Sequence, residues 1–184
     1  MRRAYAGVGS RATPDDMLAL MRHLGKELAQ RGYLLRSGGA QGADQAFESG
    51  CDQAGGAKEI FLPWSGFEGR SPGSGAQLLA PDVLPDAMDI AASAHPRFRF
   101  LKRGARLLHT RNVAQVLGPR LDDPVAFVLC WTPGGAAGGG TGMAIRIAQA
   151  RGIPVYDLGD DRALAAYRTN EGIEPAALIL ALGS

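Results

Sequence analysis

The sequence predicts one α/β domain over residues 1–184, in which a parallel sheet carries helices on both faces. Three observations support this prediction. Strand and helix patterns alternate along most of the chain with short connections between them. The run 125–130 is apolar on both faces, as central strands of parallel sheets are. The 26 glycines cluster in loops that follow strands and precede helices, which is typical of a Rossmann-like fold.

The elements follow in order from local signals. A strand at 3–8 leads to a helix that starts at 13–16, where Thr13 can cap and Pro14 suits the first helical position. Apolar residues at helical spacing continue this helix until Gly32 ends it. The stretch 65–85 is rich in Gly, Pro and Ser and is predicted to be a functional or mobile loop. The other predicted strands are 33–36, 59–62, 124–131 and 153–158, and the other helices are 43–54, 86–94, 101–117, 142–151, 163–167 and 175–182.

Charge, cysteine and histidine content and the length of apolar runs exclude several classes of protein. The net charge of +2 gives only weak overall attraction to nucleic acid. Two cysteines make no disulfide framework, and three histidines without ligand spacing predict no metal site. The sequence has no signal peptide and no apolar run of about 18 residues, so we expect a cytoplasmic protein that does not enter membranes.

A basic cluster either follows a phosphate backbone or forms a solvated helix face, and it consists of Arg97, Arg99, Lys102, Arg103, Arg106 and Arg111.

Three loops at predicted strand ends suit an anion, because helix starts present unpaired N–H groups and glycine lets a phosphate approach closely. The alternatives are an ordinary turn for the first loop and a flexible linker for the third. Asp44 either bonds a ribose hydroxyl or caps a helix, and Trp64 and Trp131 either stack on a base or pack in the core. The candidate loop residues are Gly9, Ser10, Arg11, Ser37, Gly38, Gly39, Gly42, Asp44, Thr132, Gly138, Gly139, Gly140 and Thr141.

These loops carry a resemblance to a known group. Gly9-Ser10-Arg11, the string SGGAQGAD at 37–44 and the string GGGT at 138–141 resemble the DNA-processing protein A (DprA) and lonely-guy (LOG) proteins of the SLOG superfamily. The segment 110–117, with Arg111 and Asn112, resembles an Arg-Asn element of DprA. The resemblance implies a nucleotide-binding Rossmann-like fold and a homo-oligomer, a dimer or larger. The Arg-Asn element adds Arg111 and Asn112 to the candidate site, and for a phosphate-bearing ligand we expect Arg11 and Arg111 to neutralise its charge.

Members of the group differ in function, and one position separates them. LOG enzymes cleave nucleoside monophosphates with a glutamate in the motif PGGxGTxxE, whereas the position three residues after Thr141 is Ala144 here. Cleavage of an N-glycosidic bond therefore lacks its obvious proton-transfer group. The first hypothesis is a non-catalytic sensor or sequestering protein for a nucleotide-derived signal such as ADP-ribose, with no further cofactor. Sequestration would suit a viral or mobile-element protein that blunts host defence signalling.

Two alternatives remain open. A DprA-like protein would bind single-stranded DNA through Arg99, Arg103 and Arg111, with strongly salt-dependent affinity. A nucleoside phosphate N-glycosidase with a different catalytic group would have to use another carboxylate near a strand end. The available carboxylates are Asp44, Glu48 and Asp157.

Overall fold

The computed structural model describes residues 3–136 and 138–159, so the predicted helices at 163–167 and 175–182 lie outside the described residues. Two 3₁₀ turns, Phe98–Phe100 and Pro133–Gly135, flank the longer elements. The strands are β1 (Ala4–Gly7), β2 (Leu34–Ser37), β3 (Lys58–Phe61), β4 (Ala76–Gln77), β5 (Phe127–Cys130) and β6 (Val155–Asp157). The helices are α1 (Asp15–Gln30), α2 (Ala43–Gln53), α3 (Leu84–Ala94), α4 (Arg103–Leu117) and α5 (Gly139–Ala150).

All six strands pair in parallel, in the order β4-β3-β2-β1-β5-β6. The chain moves outward from β1 to β4 on one side, then crosses to β5 and β6 on the other. The strand order therefore reverses between β1 and β5, and a crevice opens at such a point beyond the carboxyl ends of the strands. The predicted Rossmann-like α/β fold is confirmed.

The sheet has an apolar core on each face, because alternate residues of the central strands point to opposite sides. Tyr5 of β1 packs with α1 and α2, whereas Ala4 and Ala6 pack with α3, α4 and α5. In β5, Leu129 faces the first pair of helices and Val128 faces the second group. The prediction of a central strand that is buried on both faces is confirmed for Phe127–Cys130, whereas Ala126, within the predicted strand 124–131, precedes β5 and is exposed.

Two glycines bring α1 and α2 into close contact. A Cβ added to Gly50 would lie 1.9 Å from the carbonyl oxygen of Arg22, and one added to Gly25 would lie 2.5 Å from that of Phe47. No side chain fits at these distances. The two helices therefore touch through their backbones, which fixes how they cover their face of the sheet.

Several predicted boundaries need correction. Thr13 does not cap α1, because its hydroxyl donates to the carbonyl oxygen of Ser10 at 2.7 Å, and Pro14 stands just before the helix instead of inside it. The predicted loop 65–85 contains the short strand β4, which pairs with β3, and the first residues of α3. Helix α5 starts at Gly139 instead of 142, since Gly142 N–H donates to the carbonyl oxygen of Gly138 at 2.9 Å.

No helix within residues 3–136 and 138–159 combines the length and the apolar character needed to cross a membrane.

Candidate functional site

A cavity of about 630 Å³ lies at the reversal of strand order. The loop after β1 and the loop after β5 form two of its sides, and the amino-terminal half of α4 forms another. Of the residues predicted for the site, the structure brings twelve together along this cavity: Gly9, Ser10, Arg11, Asp44, Arg111, Asn112, Trp131, Thr132, Gly138, Gly139, Gly140 and Thr141. The carboxyl ends of β1 and β5 thus hold the site, as parallel α/β sheets do in general.

A buried ion pair forms the floor of the cavity. Arg111, on α4, places Nη1 3.5 Å from a carboxylate oxygen of Asp44, and both side chains are more than nine-tenths buried. Asp44 also accepts a bond from the N–H of Ala40 at 3.3 Å. With the amide of Gln115 oriented to satisfy both of its ends, its oxygen accepts from Arg111 Nη1 and from the N–H of Gly38.

Burial dominates the electrostatics of this pair. It raises the pKa of Asp44, while the nearby charge of Arg111 opposes that rise. Burial also lowers the pKa of Arg111, and Asp44 opposes that change. Arg111 Nε is buried without a hydrogen-bond partner among the described residues. The floor of the cavity therefore carries the Arg111 guanidinium, which has at least one N–H donor that no described residue accepts from.

Five predicted residues lie outside the cavity: Ser37, Gly38, Gly39, Gly42 and Trp64. Ser37 is the last residue of β2, the three glycines belong to the loop that follows, and each of these four residues contacts another part of the protein. The hydroxyl of Ser37 donates to the carbonyl oxygen of Gly7 at 2.6 Å. A Cβ at Gly38 would lie 1.1 Å from Arg111 Nη1, one at Gly39 would lie 2.9 Å from Ile60, and one at Gly42 would lie 2.7 Å from the carbonyl oxygen of Ser10. This loop packs against its neighbours, and of the predicted stretch 37–44 only Ala40, in the loop, and Asp44, in the first turn of α2, reach the cavity.

The glycine run before α5 is different, because it borders open space. Apart from adjacent residues and the helix backbone itself, no atom of the described chain lies within 4 Å of a Cβ added at Gly138 or Gly139, and no described side chain caps this helix end. Gly139 has φ of +55°, a conformation that favours glycine. Asn112 anchors the turn by donating from Nδ2 to the carbonyl oxygen of Gly140 at 3.0 Å. The first N–H groups of α5 therefore meet the cavity without a side chain in the way.

A carboxylate from the neighbouring strand holds the start of the loop after β5. Asp157, at the end of β6, accepts bonds from the N–H and the hydroxyl of Thr132 and from the N–H of Gly159. Asp157 and Glu48 are thus engaged elsewhere. Glu48 pairs with Lys58 at 2.8 Å and with Arg70 at 2.6 Å. Among the described residues along the cavity, Asp44 is the one carboxylate.

The two tryptophans predicted for the site have different environments. Trp131 lines the cavity, whereas Trp64 is 38% exposed and meets Phe67 edge to face, with ring centroids 5.4 Å apart. Phe67 itself lines the cavity and lies under the guanidinium of Arg111 at 5.8 Å. Phe67 is the one aromatic residue in the glycine-rich stretch 65–85, and no regular spacing of apolar residues around it predicted that it would be buried.

Sequence reasoning missed eight residues of the cavity. Those on α4 had a usable signal, because Ala105, Leu108 and His109 lie seven, four and three positions before Asn112, on the same helical face. The missed residues are Val8, Ala40, Phe67, Ala105, Leu108, His109, Pro133 and Ala136.

The basic cluster separates into two parts. Arg111 is buried on the floor of the cavity, and Arg106 is partly buried. Arg97, Arg99, Lys102 and Arg103 are exposed, and the intervening Phe100 is 74% exposed. Arg11, at the cavity edge, pairs with Glu68 at 2.8 Å and remains mostly exposed. No group of three or more potential metal ligands occurs within the described part of the chain.

Comparison with solved structures places this fold among known proteins. No family model and no curated protein sequence matches the chain. The molybdenum cofactor carrier protein of Chlamydomonas reinhardtii is similar with a TM-score of 0.59 and 18% identity, over 100% of this chain and 96% of that one. The protein TM1055 is similar with a TM-score of 0.52 and 23% identity, over 85% of this chain and 73% of that one. The DNA processing protein A of Streptococcus pneumoniae gives a TM-score of 0.47 and 15% identity, over 85% and 50%.

Fold and site together define a class. The chain has a Rossmann-like fold similar to those of the molybdenum cofactor carrier protein and TM1055, with a mixed polar and apolar cavity at its topological switch point. At identities below a quarter, the similarity extends to the fold and no further.

Proposed function

We propose that the cavity binds a nucleotide-derived small molecule and holds it without cleaving it. One observation carries the proposal: the open glycine turn at the start of α5 and the incompletely bonded Arg111 line the same cavity. Both features attract an anion, one through N–H groups and the helix dipole and the other through charge.

The phosphate of the ligand would occupy the α5 end of the cavity. Main-chain N–H groups of the first turn are free of side-chain caps among the described residues, and Thr141 adds a hydroxyl there. Arg11 stands on the loop after β1 with a mostly exposed side chain. Its ion pair with Glu68 would exchange for one with the ligand phosphate, because the Arg11 end of the pair is open to solvent.

The heterocycle of the ligand would occupy the apolar part. Phe67, Leu108 and Trp131 line the cavity and offer flat or aliphatic surface for a base. A volume of about 630 Å³ suits a nucleotide-sized molecule, since small-molecule sites span roughly 300–1,000 Å³. The combination of an anion site and an apolar wall favours a phosphorylated heterocycle over a simple anion.

The positions and partners of the carboxylates support binding without cleavage. Ala144 is fully buried, and it contributes no acid or base. Asp44 reaches the cavity but is held by Arg111 and by the N–H of Ala40. A protein that retains its ligand in this way would either report its presence to a partner or sequester it, as expected for a signal of the ADP-ribose type.

Calorimetry with AMP, ADP, ADP-ribose and cyclic ADP-ribose isomers tests the proposal, and the molybdenum cofactor belongs in the same panel. We expect saturable binding of at least one of these compounds and its recovery intact by chromatography. Absence of binding across the panel would contradict the proposal. Release of free adenine would show instead that the protein is an N-glycosidase, with Asp44 the carboxyl to substitute first.

Single-stranded DNA is a second candidate ligand, favoured by the exposed basic segment and by Phe100 within it. Bases stack on exposed aromatic rings while Arg and Lys follow the phosphates. The test is oligonucleotide affinity as a function of salt, in Arg99→Ala and Arg103→Ala variants. Arg120→Ala is the matched control, because Arg120 is an exposed arginine paired with Asp82. Equal affinity in all three variants would remove this candidate.

A further inference from the structure

His109 faces the cavity from the partly exposed half of α4. It lies one turn before Asn112, which anchors the start of α5. Its Nδ1 is buried and has no hydrogen-bond partner among the described residues. Nε2 is therefore the ring nitrogen that a ligand can reach. A half-buried imidazole with an unbonded nitrogen is a costly feature, and such groups are concentrated at functional sites.

Within the described part of the chain, the ionisable groups that act on His109 are basic. From the end of α3, the ring of His95 lies 4.8 Å from that of His109, centroid to centroid. Arg146 approaches from α5, where its Nε donates to the carbonyl oxygen of Ala94, and Arg111 lies on α4 itself. Burial, followed by these three groups, lowers the pKa of His109 to about 4. The folded protein therefore holds a neutral imidazole here at any pH well above that value.

We propose that His109 recognises an uncharged hydrogen-bonding edge of the ligand, a heterocycle nitrogen or a sugar hydroxyl, through Nε2 of a neutral imidazole. This inference rests on the proposed function and names the residue that gives the site its selectivity. Phosphate recognition is already supplied by the α5 turn and by Arg111. A neutral donor or acceptor beside Leu108 adds what those groups lack, which is discrimination between ligands with the same charge.

The experiment compares two probes and two variants. ADP-ribose carries phosphates and uncharged edges, whereas inorganic pyrophosphate carries only phosphates. His109→Phe removes the ring nitrogens, and His109→Gln keeps a neutral polar group near the position of Nε2. We expect His109→Phe to weaken ADP-ribose binding by about tenfold or more, because a ligand group loses its partner, and to leave pyrophosphate affinity unchanged. His109→Gln should stay within about threefold of the unsubstituted protein for both probes.

The pH profile gives a second readout. Each phosphorus of ADP-ribose carries one ester and one anhydride bond and keeps a single strongly acidic oxygen, so the ligand charge is constant between pH 6 and 8, and a neutral His109 predicts constant affinity over that range. NMR titration of the His109 ring in the ligand-free protein should show no protonation down to pH 5.5. This measurement needs no variant, so it holds even if His109→Phe fails to fold.

Three results would overturn the inference: equal loss of both probes in His109→Phe, no loss of either, or a ring that titrates near pH 6.5. The failure of the proposed function has a different signature. In that case the unsubstituted protein itself binds none of the nucleotide panel, and the inference fails with it.

Discussion

Arg111 occupies the space that a side chain at position 38 would need. The string at 37–44 suggests a phosphate cradle, yet the closest approach to Gly38 is made by the protein's own guanidinium, 1.1 Å from the Cβ position. At the residue scale, a glycine in such a string indicates that another group could approach the backbone closely, but it does not identify that group. Whether that neighbour is a ligand or a side chain depends on a contact between α4 and the loop after β2, which sequence spacing does not show.

Substitution of Arg111 should destabilise the protein in a pH-dependent way. Burial raises the pKa of Asp44 above its unfolded value, so its carboxyl favours the folded state at low pH, and that contribution is lost as the pH rises through the folded pKa. Without Arg111 the ionised carboxylate is buried alone. We expect Arg111→Met to lose about 3–5 kcal/mol of unfolding free energy at pH 7 and clearly less at pH 4.

Urea unfolding at the two pH values measures this difference. The control is the double variant Asp44→Asn with Arg111→Met, which removes both charges and should recover much of the loss and its pH dependence. A loss of the same size at pH 4 and pH 7 would mean that Asp44 does not depend on Arg111 for its charge.

At the scale of elements, two helix features depend on glycine for opposite reasons. The contact of α1 with α2 needs Gly25 and Gly50 because backbone atoms fill the space where side chains would be. The start of α5 has glycines with empty space around Gly138 and Gly139. The first arrangement stabilises the fold, and the second exposes main-chain N–H groups to the cavity.

Gly139→Val should abolish ligand binding while the protein stays folded. The side chain would enter the open space over the first turn of α5, and the positive φ adds a strain of about 1–2 kcal/mol. Gly152→Val is the matched control, since Gly152 also has a positive φ and open surroundings but follows the other end of α5. Calorimetry and circular dichroism on both variants give the comparison. Equal ligand affinity in the two would place the site elsewhere.

Gly50→Ala should destabilise the protein by about 1–3 kcal/mol, because a methyl group cannot fit 1.9 Å from the carbonyl oxygen of Arg22 without moving α1. Gly104→Ala provides the contrast. Gly104 lies in α4 with its nearest neighbour, Trp64, at 3.9 Å, so alanine there should stabilise the helix by up to about 1 kcal/mol. Thermal unfolding of the pair measures both effects. A neutral Gly50→Ala would show that the two helices have room to separate.

For the molecule as a whole, the reversal between β1 and β5 decides where the site is. Residues from the loops after β1 and β5, from α4 and from the start of α5 meet there, although they are up to 133 positions apart in the sequence, from Val8 to Thr141. Nothing local requires β5 to insert beside β1. That order follows from how the five helices of the described residues cover the apolar faces of the six described strands.

Ligand binding should therefore stabilise the entire described fold. At a ligand concentration one hundred times Kd, linkage predicts about 2.7 kcal/mol of added stability. For a chain of this size that corresponds to a rise in Tm of roughly 5–10 °C. Differential scanning fluorimetry with ADP-ribose measures it, and Gly139→Val should show no rise. A rise of the same size in Gly139→Val would indicate binding away from the α5 turn.

The sequence by itself determined the class of fold, the approximate strands and helices, and twelve residues of the cavity. These depend on local signals, namely apolar periodicity, glycine at helix ends and polar residues where strands stop. The expected oligomer and the cytoplasmic location stay predictions. Tertiary structure decided which glycines face open space, that Arg111 is bonded to Asp44, and that Phe67 and His109 join the site. Those facts arise from packing between segments far apart in the chain, and such packing leaves no periodic trace in the sequence of either partner.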